Sequence, residues 1–381
     1  INFLLYTCKI LDILGVGVKM DIRTELFGIQ LQSPFIVGSG PLSYGAEGMI
    51  RLHRAGAGAV VTKTIRDTAA DNPYPHIAAV DKNTLINAEK WTDYPAEQWI
   101  EAEIPTAKRA GVIVGASIGH TSEEVEHWIE AVDAAGADFF ELVSYQPETI
   151  RPMAERAKQL TAKPVVVKIS PNWPDAAATA RDLLGLGVDG ITAIDSVGPV
   201  LSIDIRTARP RVGGQSGFGW LTGSAIKPVA LRYVAEIAAG SSAPVIGLGG
   251  VMRAEDAVEM LMAGAAAVGV CSALMLRGVE YLQKLNSELA RLVESLGYES
   301  LAAVRGAALP HLYPQEVHRK FSFNFDAGSC IWCGRCVEVC PYAARKLNRA
   351  EQRNLLDEGQ CRYCGLCVAV CPTPALTKTE V

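Results

Sequence analysis

Cysteine is nearly missing from most of this 381-residue chain: before position 330 only Cys8 and Cys271 occur. A disulfide framework spread through the chain, the device of small secreted domains short of core, is therefore excluded. No block of lysine and arginine occurs, and the formal net charge is −5. Nothing in that balance marks a nucleic-acid surface. Long apolar runs are scarce as well. The nearest is Ile1 to Val18, which Lys9 and Asp12 interrupt and which Gly15 and Gly17 weaken as a helix. It is short for a span and lacks the basic start and cleavage site of a signal peptide, so no stable membrane insertion is expected. Residues 1–19 read as an N-terminal appendage, because Met20 opens the first domain-like sequence. A misplaced start and a surface-packed amphipathic segment both account for it. Also missing is a Gly-x-Gly-x-x-Gly after an early strand, which argues against an open dinucleotide-binding sheet.

What the chain does have is concentrated in its tail. Cys330, Cys333, Cys336 and Cys340 form a C-x2-C-x2-C-x3-C-P run, and Cys361, Cys364, Cys367 and Cys371 repeat it. Zinc sites usually take a pair of cysteines from each side of a tetrahedron. Three close thiolates instead fit three corners of an iron–sulfur cube, with the fourth corner left to a distant ligand. The spacing is that of bacterial two-cluster ferredoxins, in which the last cysteine of each run ligates the other cluster. Two [4Fe–4S] clusters are expected, one on Cys330, Cys333, Cys336 and Cys371, the other on Cys361, Cys364, Cys367 and Cys340. Residues 327–381 are too few to bury much core, so cluster assembly should help fold them. Cysteines that must stay reduced for cluster insertion point to the cytoplasm.

Residues 20–305 alternate short apolar runs with helix-like stretches. Strands are expected at Phe35–Ser39, Ala59–Thr62, Val112–Ala116, Phe139–Val143, Val165–Ile169, Gly190–Ile194, Val245–Leu248 and Ala267–Val270. Helices are expected at Ala46–Ala55, Ser122–Ala135, Glu148–Leu160, Ala176–Leu184, Ala225–Ala238, Ala254–Ala263 and Gly278–Leu296. Eight strands with intervening helices in this length predict an α/β fold of the (β/α)8 TIM-barrel type. Ala-Gly-Ala recurs at Ala55–Ala57, Ala135–Ala137 and Ala263–Ala265, where glycine suits a helix C-cap before the next strand. Residues 306–326 read as an irregular linker or docking arm, with Phe321, Phe323 and Phe325 expected to pack between the domains.

A cluster tail on a barrel calls for an electron acceptor within the barrel, and flavin both takes electrons singly and delivers hydride. Gly249 and Gly250 follow the seventh strand, and Cys271 and Ser272 follow the eighth. Loops there commonly hold phosphate through backbone N–H groups. Lys63 and Lys168 end apolar strands, where an ammonium can face a reduced flavin.

At these residues the chain resembles the dihydroorotate dehydrogenase superfamily, closest to its dihydropyrimidine dehydrogenase branch. Ser33-Pro34-Phe35-Ile36 with Gly38-Ser39-Gly40-Pro41 resembles the first strand and its flavin-contacting loop. Val61-Thr62-Lys63-Thr64 and Lys168-Ile169-Ser170-Pro171-Asn172 resemble the two flavin-side lysine segments. Leu85-Ile86-Asn87 matches the segment whose asparagine touches the pyrimidine. Leu221 to Pro228, with Gly223 and Ser224, and Val270-Cys271-Ser272-Ala273 are the branch-specific pieces. The resemblance implies FMN and chemistry on a carbon–carbon double bond.

The family's fourth strand ends Asn-x-Ser-Cys-Pro, its cysteine protonating the substrate carbon. Here Val143 stands at the asparagine, Tyr145 at the serine and Gln146 at the cysteine. A glutamine amide cannot act as a general acid. The sixth strand's Asn-Thr/Ser pair reads Asp195-Ser196. Tyr145 is therefore the first candidate proton donor, followed by Asp195 and His120, with Asn87 and Ser196 toward substrate. The expected function is an FMN and iron–sulfur oxidoreductase reducing an activated C=C bond of a small molecule. The alternative is a non-catalytic electron-transfer subunit of a larger redox complex. With no second dinucleotide domain in the sequence, electrons are expected from a ferredoxin or a separate oxidoreductase subunit. A homodimer is an open expectation.

Overall fold

The computed structural model describes residues 20–312, 315–316 and 321–380. The expected appendage at 1–19 lies outside them. The chain forms two compact units that divide between His311 and Leu312.

The first unit is a closed barrel of eight parallel strands: Phe35–Val37, Ala59–Val61, Val114–Ile118, Phe139–Val143, Val165–Ile169, Gly190–Ala193, Val245–Leu248 and Ala267–Val270. They pair in chain order and the eighth closes on the first, Gly269 opposite Ile36. Strands covered on both faces need no polar alternation, which is why the apolar runs locate them. The recurring Ala-Gly-Ala turns place Gly56, Gly136 and Gly264 at positive φ of 100°, 109° and 106°. After the helix Ser122–Ala135, the Gly136 N–H donates to the Asp133 carbonyl at 3.0 Å and the chain reverses into the fourth strand.

One end of the barrel is sealed by packing. The hairpin Thr24–Leu26/Ile29–Leu31 lays Leu26 and Leu31 against Ile36, Phe139, Val166 and Ile246. Phe139 fills its place because Gly115 yields it room: a Cβ at Gly115 would come 2.3 Å from the ring. The opposite end is built differently. The segments after the second and sixth strands form a four-stranded antiparallel sheet of Ile77–Asp81, Thr84–Asn87, Gly219–Gly223 and Val197–Val200. It carries Asn87 opposite Trp220.

The helix Ala254–Met262 ends one residue before the expected bound; the expected Gly278–Leu296 is the helix Tyr281–Ser295, and a short helix not expected from the sequence, Ser272–Arg277, precedes it across Gly278. Gly278, at φ 88°, suits the break better than a helix start.

In the second unit, Phe321–Phe325 is a strand paired with Leu376–Glu380. The arm is therefore not irregular over its aromatic part: Phe-x-Phe-x-Phe is a period-two pattern. Phe321 and Phe323 pack on Tyr363, and Phe325 on Trp332, all within this unit. A second hairpin-like pair joins Arg345–Asn348 to Arg353–Leu356. The unit is thus two similar halves, each offering one strand pair and one short helix, Arg335–Glu338 or Leu366–Ala369.

Candidate functional site

The barrel's open end holds a cavity of about 1220 Å3, counting space open to solvent. Gly38, Ser39, Lys63, Asn87, His120, Tyr145, Lys168, Asp195, Ser196, Gly223, Gly249, Gly250, Cys271 and Ser272 all line it. Ser224 does not. It opens a short 3-10 turn, donates its N–H to the Asn83 carbonyl at 2.8 Å and turns its hydroxyl toward Thr84. Gln146 is also outside the lining, exposed at the start of helix Pro147–Leu160. The aligned cysteine position therefore carries no acid and does not line the cavity.

The floor is charged. Lys168 Nζ lies 3.1 Å from Glu141 Oε1, and the Thr192 hydroxyl donates to Glu141 Oε2 at 2.9 Å. Burial works against the Lys168 charge, but Glu141 and then Asp195 hold its pKa above the ordinary lysine range. The Lys63 ammonium is 2.7 Å from Glu89 Oε1. Neither Glu141 nor Glu89 was expected from the sequence. A lone carboxylate within Phe139-Phe140-Glu141-Leu142-Val143 was the available signal, since a buried acid needs a partner.

Two further features suit an anion and a flat ring. Gly249 and Gly250 adopt φ of 128° and 80°, and Cβ atoms there would come 2.9 Å and 2.6 Å from helix Lys227–Gly240. Among the described residues their N–H groups, and that of Cys271, donate to no backbone carbonyl. Such free amides beside a helix start can take a phosphate. Burial and then Glu89 push the Cys271 thiol up to about 12, so it stays protonated.

The mouth is aromatic. Tyr145 stacks on Trp220 at 5.7 Å and meets the His120 ring edge-on at 4.7 Å. His120 in turn touches Trp91, over which Arg66 sits at 4.3 Å. Trp91 and Trp220 were not anticipated: a single aromatic in an irregular stretch carries no pattern. Tyr145 is 49% exposed yet flanked by two rings. That partial burial, with the Asp195 charge, raises its phenol above the ordinary value. Burial, then the Arg66 and Lys168 charges, lower the His120 imidazole to about 3.

In the second unit the cysteines gather in two cavities. One is lined by Cys330, Cys333, Cys336 and Cys371, the other by Cys340, Cys361, Cys364 and Cys367. Each takes three residues from one run and one from the other. Backbone N–H groups of Trp332 and Tyr363 approach the Cys330 and Cys361 sulfurs at 3.4 Å. Amide donors aimed at thiolate sulfur, within a ring of four cysteines, fit a cluster.

Fold and sites together define a flavin-barrel oxidoreductase joined to a two-cluster ferredoxin-type domain. Residues 21–293 match the family described as Dihydroorotate dehydrogenase, and residues 322–372 match a 4Fe-4S dicluster domain. The chain belongs to the dihydroorotate dehydrogenase family. It is 32% identical to the Dihydroorotate dehydrogenase B (NAD(+)) catalytic subunit of Pyrococcus abyssi over 302 residues, 76% of this chain and 99% of the relative. It is 31% identical to the protein of the same name from Methanothermobacter thermautotrophicus over 303 residues, 75% and 98%. It is 27% identical to the NAD-dependent dihydropyrimidine dehydrogenase subunit PreA of Escherichia coli K12 over 352 residues, 84% and 85%. The barrel is an FMN-binding one, and the C-terminal domain carries two [4Fe–4S] clusters. No helix among the described residues is long and apolar enough to cross a membrane.

Proposed function

We propose that this chain reduces an activated carbon–carbon double bond of a small, cyclic or compact substrate, using electrons from a separate ferredoxin or oxidoreductase subunit. The observation that carries the reading is the cavity in which Lys168, Asn87, Asp195 and Tyr145 share one open end with the free amides near Gly249. FMN, when bound, supplies single-electron acceptance and hydride delivery.

The chain's own residues do the rest. Gly249, Gly250, Cys271 and Ser272 would hold the phosphate through their N–H groups. Lys63 and Lys168 would face the ring system, each already fixed by a carboxylate. A fixed ammonium needs no reorganisation when negative charge develops nearby. Asn87 and Ser196 would orient the substrate. The raised phenol of Tyr145 keeps its Oη–H through neutral pH, so it can donate a proton to the substrate carbon. His120, neutral above about 3, has no proton to spare as imidazolium. The Cys330 and Cys361 foursomes would ligate the two clusters.

One observation favours the second reading, a non-catalytic electron-transfer subunit: Gln146 offers no acid and does not line the cavity. The deciding experiment is anaerobic photoreduction of the holoprotein followed by cyclic enones, imides and enoyl compounds. Flavin reoxidation by one class, with the saturated product recovered, supports the enzyme. Failure of every class, beside fast exchange with a copurifying protein, supports the subunit.

A further inference from the structure

The two halves of the C-terminal unit are similar in sequence and pairing but differ at one buried position. Five residues after Cys340 stands Arg345; five residues after Cys371 stands Leu376. The sheets give the same equivalence: Arg345 pairs with Leu356 in one half and Leu376 with Phe325 in the other. Each is 3% exposed. Leu376 lines the cavity of Cys330, Cys333, Cys336 and Cys371, and Arg345 lines that of Cys340, Cys361, Cys364 and Cys367. At this position one cavity therefore has an aliphatic wall and the other a buried cation; the arginine that lines the first cavity, Arg335, is exposed.

The guanidinium is held but not satisfied. Its plane sits over the Phe323 ring at 4.3 Å, and Nη1 donates to Asn354 Oδ1 at 2.9 Å. Nε and Nη2 are buried with no partner at all. A guanidinium stays protonated in proteins, and two idle donors at a buried charge are costly unless an acceptor is supplied. The acceptor that this cavity receives is an iron–sulfur cluster, whose sulfurs accept hydrogen bonds and whose charge becomes more negative by one on reduction. Asn354 Nδ2 meanwhile approaches Cys336 Sγ at 3.4 Å, a neutral contact to the first cluster.

We propose that Arg345 donates Nε–H and Nη2–H to the cluster held by Cys340, Cys361, Cys364 and Cys367 and makes it the higher-potential of the two. A buried cation stabilises the reduced cluster over the oxidised one; the first cluster receives the neutral amide directly and the Arg345 charge only past Asn354, so it gains less. The first electron entering the domain then settles on the Arg345 side. Arg345 acts through the cluster's electrostatics and touches no substrate, so its effect is separable from the proposed reduction of a small molecule.

An EPR-monitored redox titration of the anaerobically purified full-length holoprotein tests this. Two one-electron steps are expected. Arg345→Gln should lower the upper step more than the lower one, changing the electron's partition between clusters by about tenfold, or about 59 mV for one electron. Leu376→Arg should raise the lower step toward the upper one, and it carries the test if the glutamine variant loses iron. Equal movement of both steps, or no movement of either in the variant that retains eight irons, overturns the proposal.

Discussion

The Lys168 ammonium and the Glu141 carboxylate, 3.1 Å apart, form a buried ion pair at the floor of the barrel cavity, with side chains 6% and 2% exposed. Lys168 stands opposite Thr192 in the sheet, and Thr192 completes the contact by donating to the other Glu141 oxygen. The three residues come from consecutive strands and point into the barrel. They hold a positive charge where the strands end, with no slack for it to leave.

Glu141→Gln should therefore destabilise the protein strongly. Breaking a buried pair leaves an uncompensated charge, typically worth about 3–5 kcal/mol. Urea denaturation of native and variant protein measures it. A second change, Lys168→Met, should recover much of the loss. A single variant as stable as the native protein would mean that Lys168 is solvated some other way.

His120 makes stability depend on pH. Folded, its imidazole titrates at about 3; unfolded, it titrates near its ordinary 6.5. As pH falls through that window the unfolded chain takes up the proton first, so the His120 contribution to stability is lost from about pH 6.5 downward and is constant above it. His120→Gln should flatten the slope between pH 5 and 6.5 in denaturant midpoints. An unchanged slope would show that His120 titrates normally.

Much of this was legible in the sequence, for identifiable reasons. Barrel strands are apolar runs because helices and the interior cover both faces, and cluster cysteines must keep their spacing whatever surrounds them. The four-stranded sheet over the cavity was not legible. Its strands are short and of mixed polarity, and Trp220 meets Asn87 across a separation no local pattern encodes. The helical stretch from Ala96 to Arg109 was hidden too, with Pro105 inside it and a π-helical turn at Trp99–Glu103. Lys63 and Lys168 could be read as strand-end cations, but their carboxylate partners lie on other segments. Ser224 matched a family segment, yet the turn at Gly223 directs it to Thr84 instead of the cavity.

If each cluster takes the four cysteines that line its cavity, a distant cysteine matters. Cys371→Ser should damage the cluster that includes Cys330, Cys333 and Cys336, although Cys371 belongs to the other run. Iron and acid-labile sulfide should fall from near eight of each per chain, with the EPR signal of one cluster retained. Loss confined to the cluster of Cys361, Cys364 and Cys367 would point to uncrossed ligation.

Ordinary pyrimidine turnover should be absent or very poor. Gln146 cannot protonate, Val143 and Asp195 replace two amides suited to an imide ring, and general acid catalysis alone is worth roughly 10²–10⁴-fold. Uracil, dihydrouracil and dihydroorotate assayed with an electron mediator should leave the flavin's redox state nearly unchanged. Efficient turnover of any of them would place a proton donor elsewhere in the cavity.

The most direct test of the account is the single-turnover rate of flavin reoxidation by an accepted alkene, compared between the native protein and Tyr145→Phe. Phenylalanine keeps the stack on Trp220 and removes only the Oη proton. The predicted result is full FMN and iron content with reoxidation about 10²–10⁴-fold slower. Equal rates in the two proteins would contradict the assignment of Tyr145 as the proton donor of this cavity.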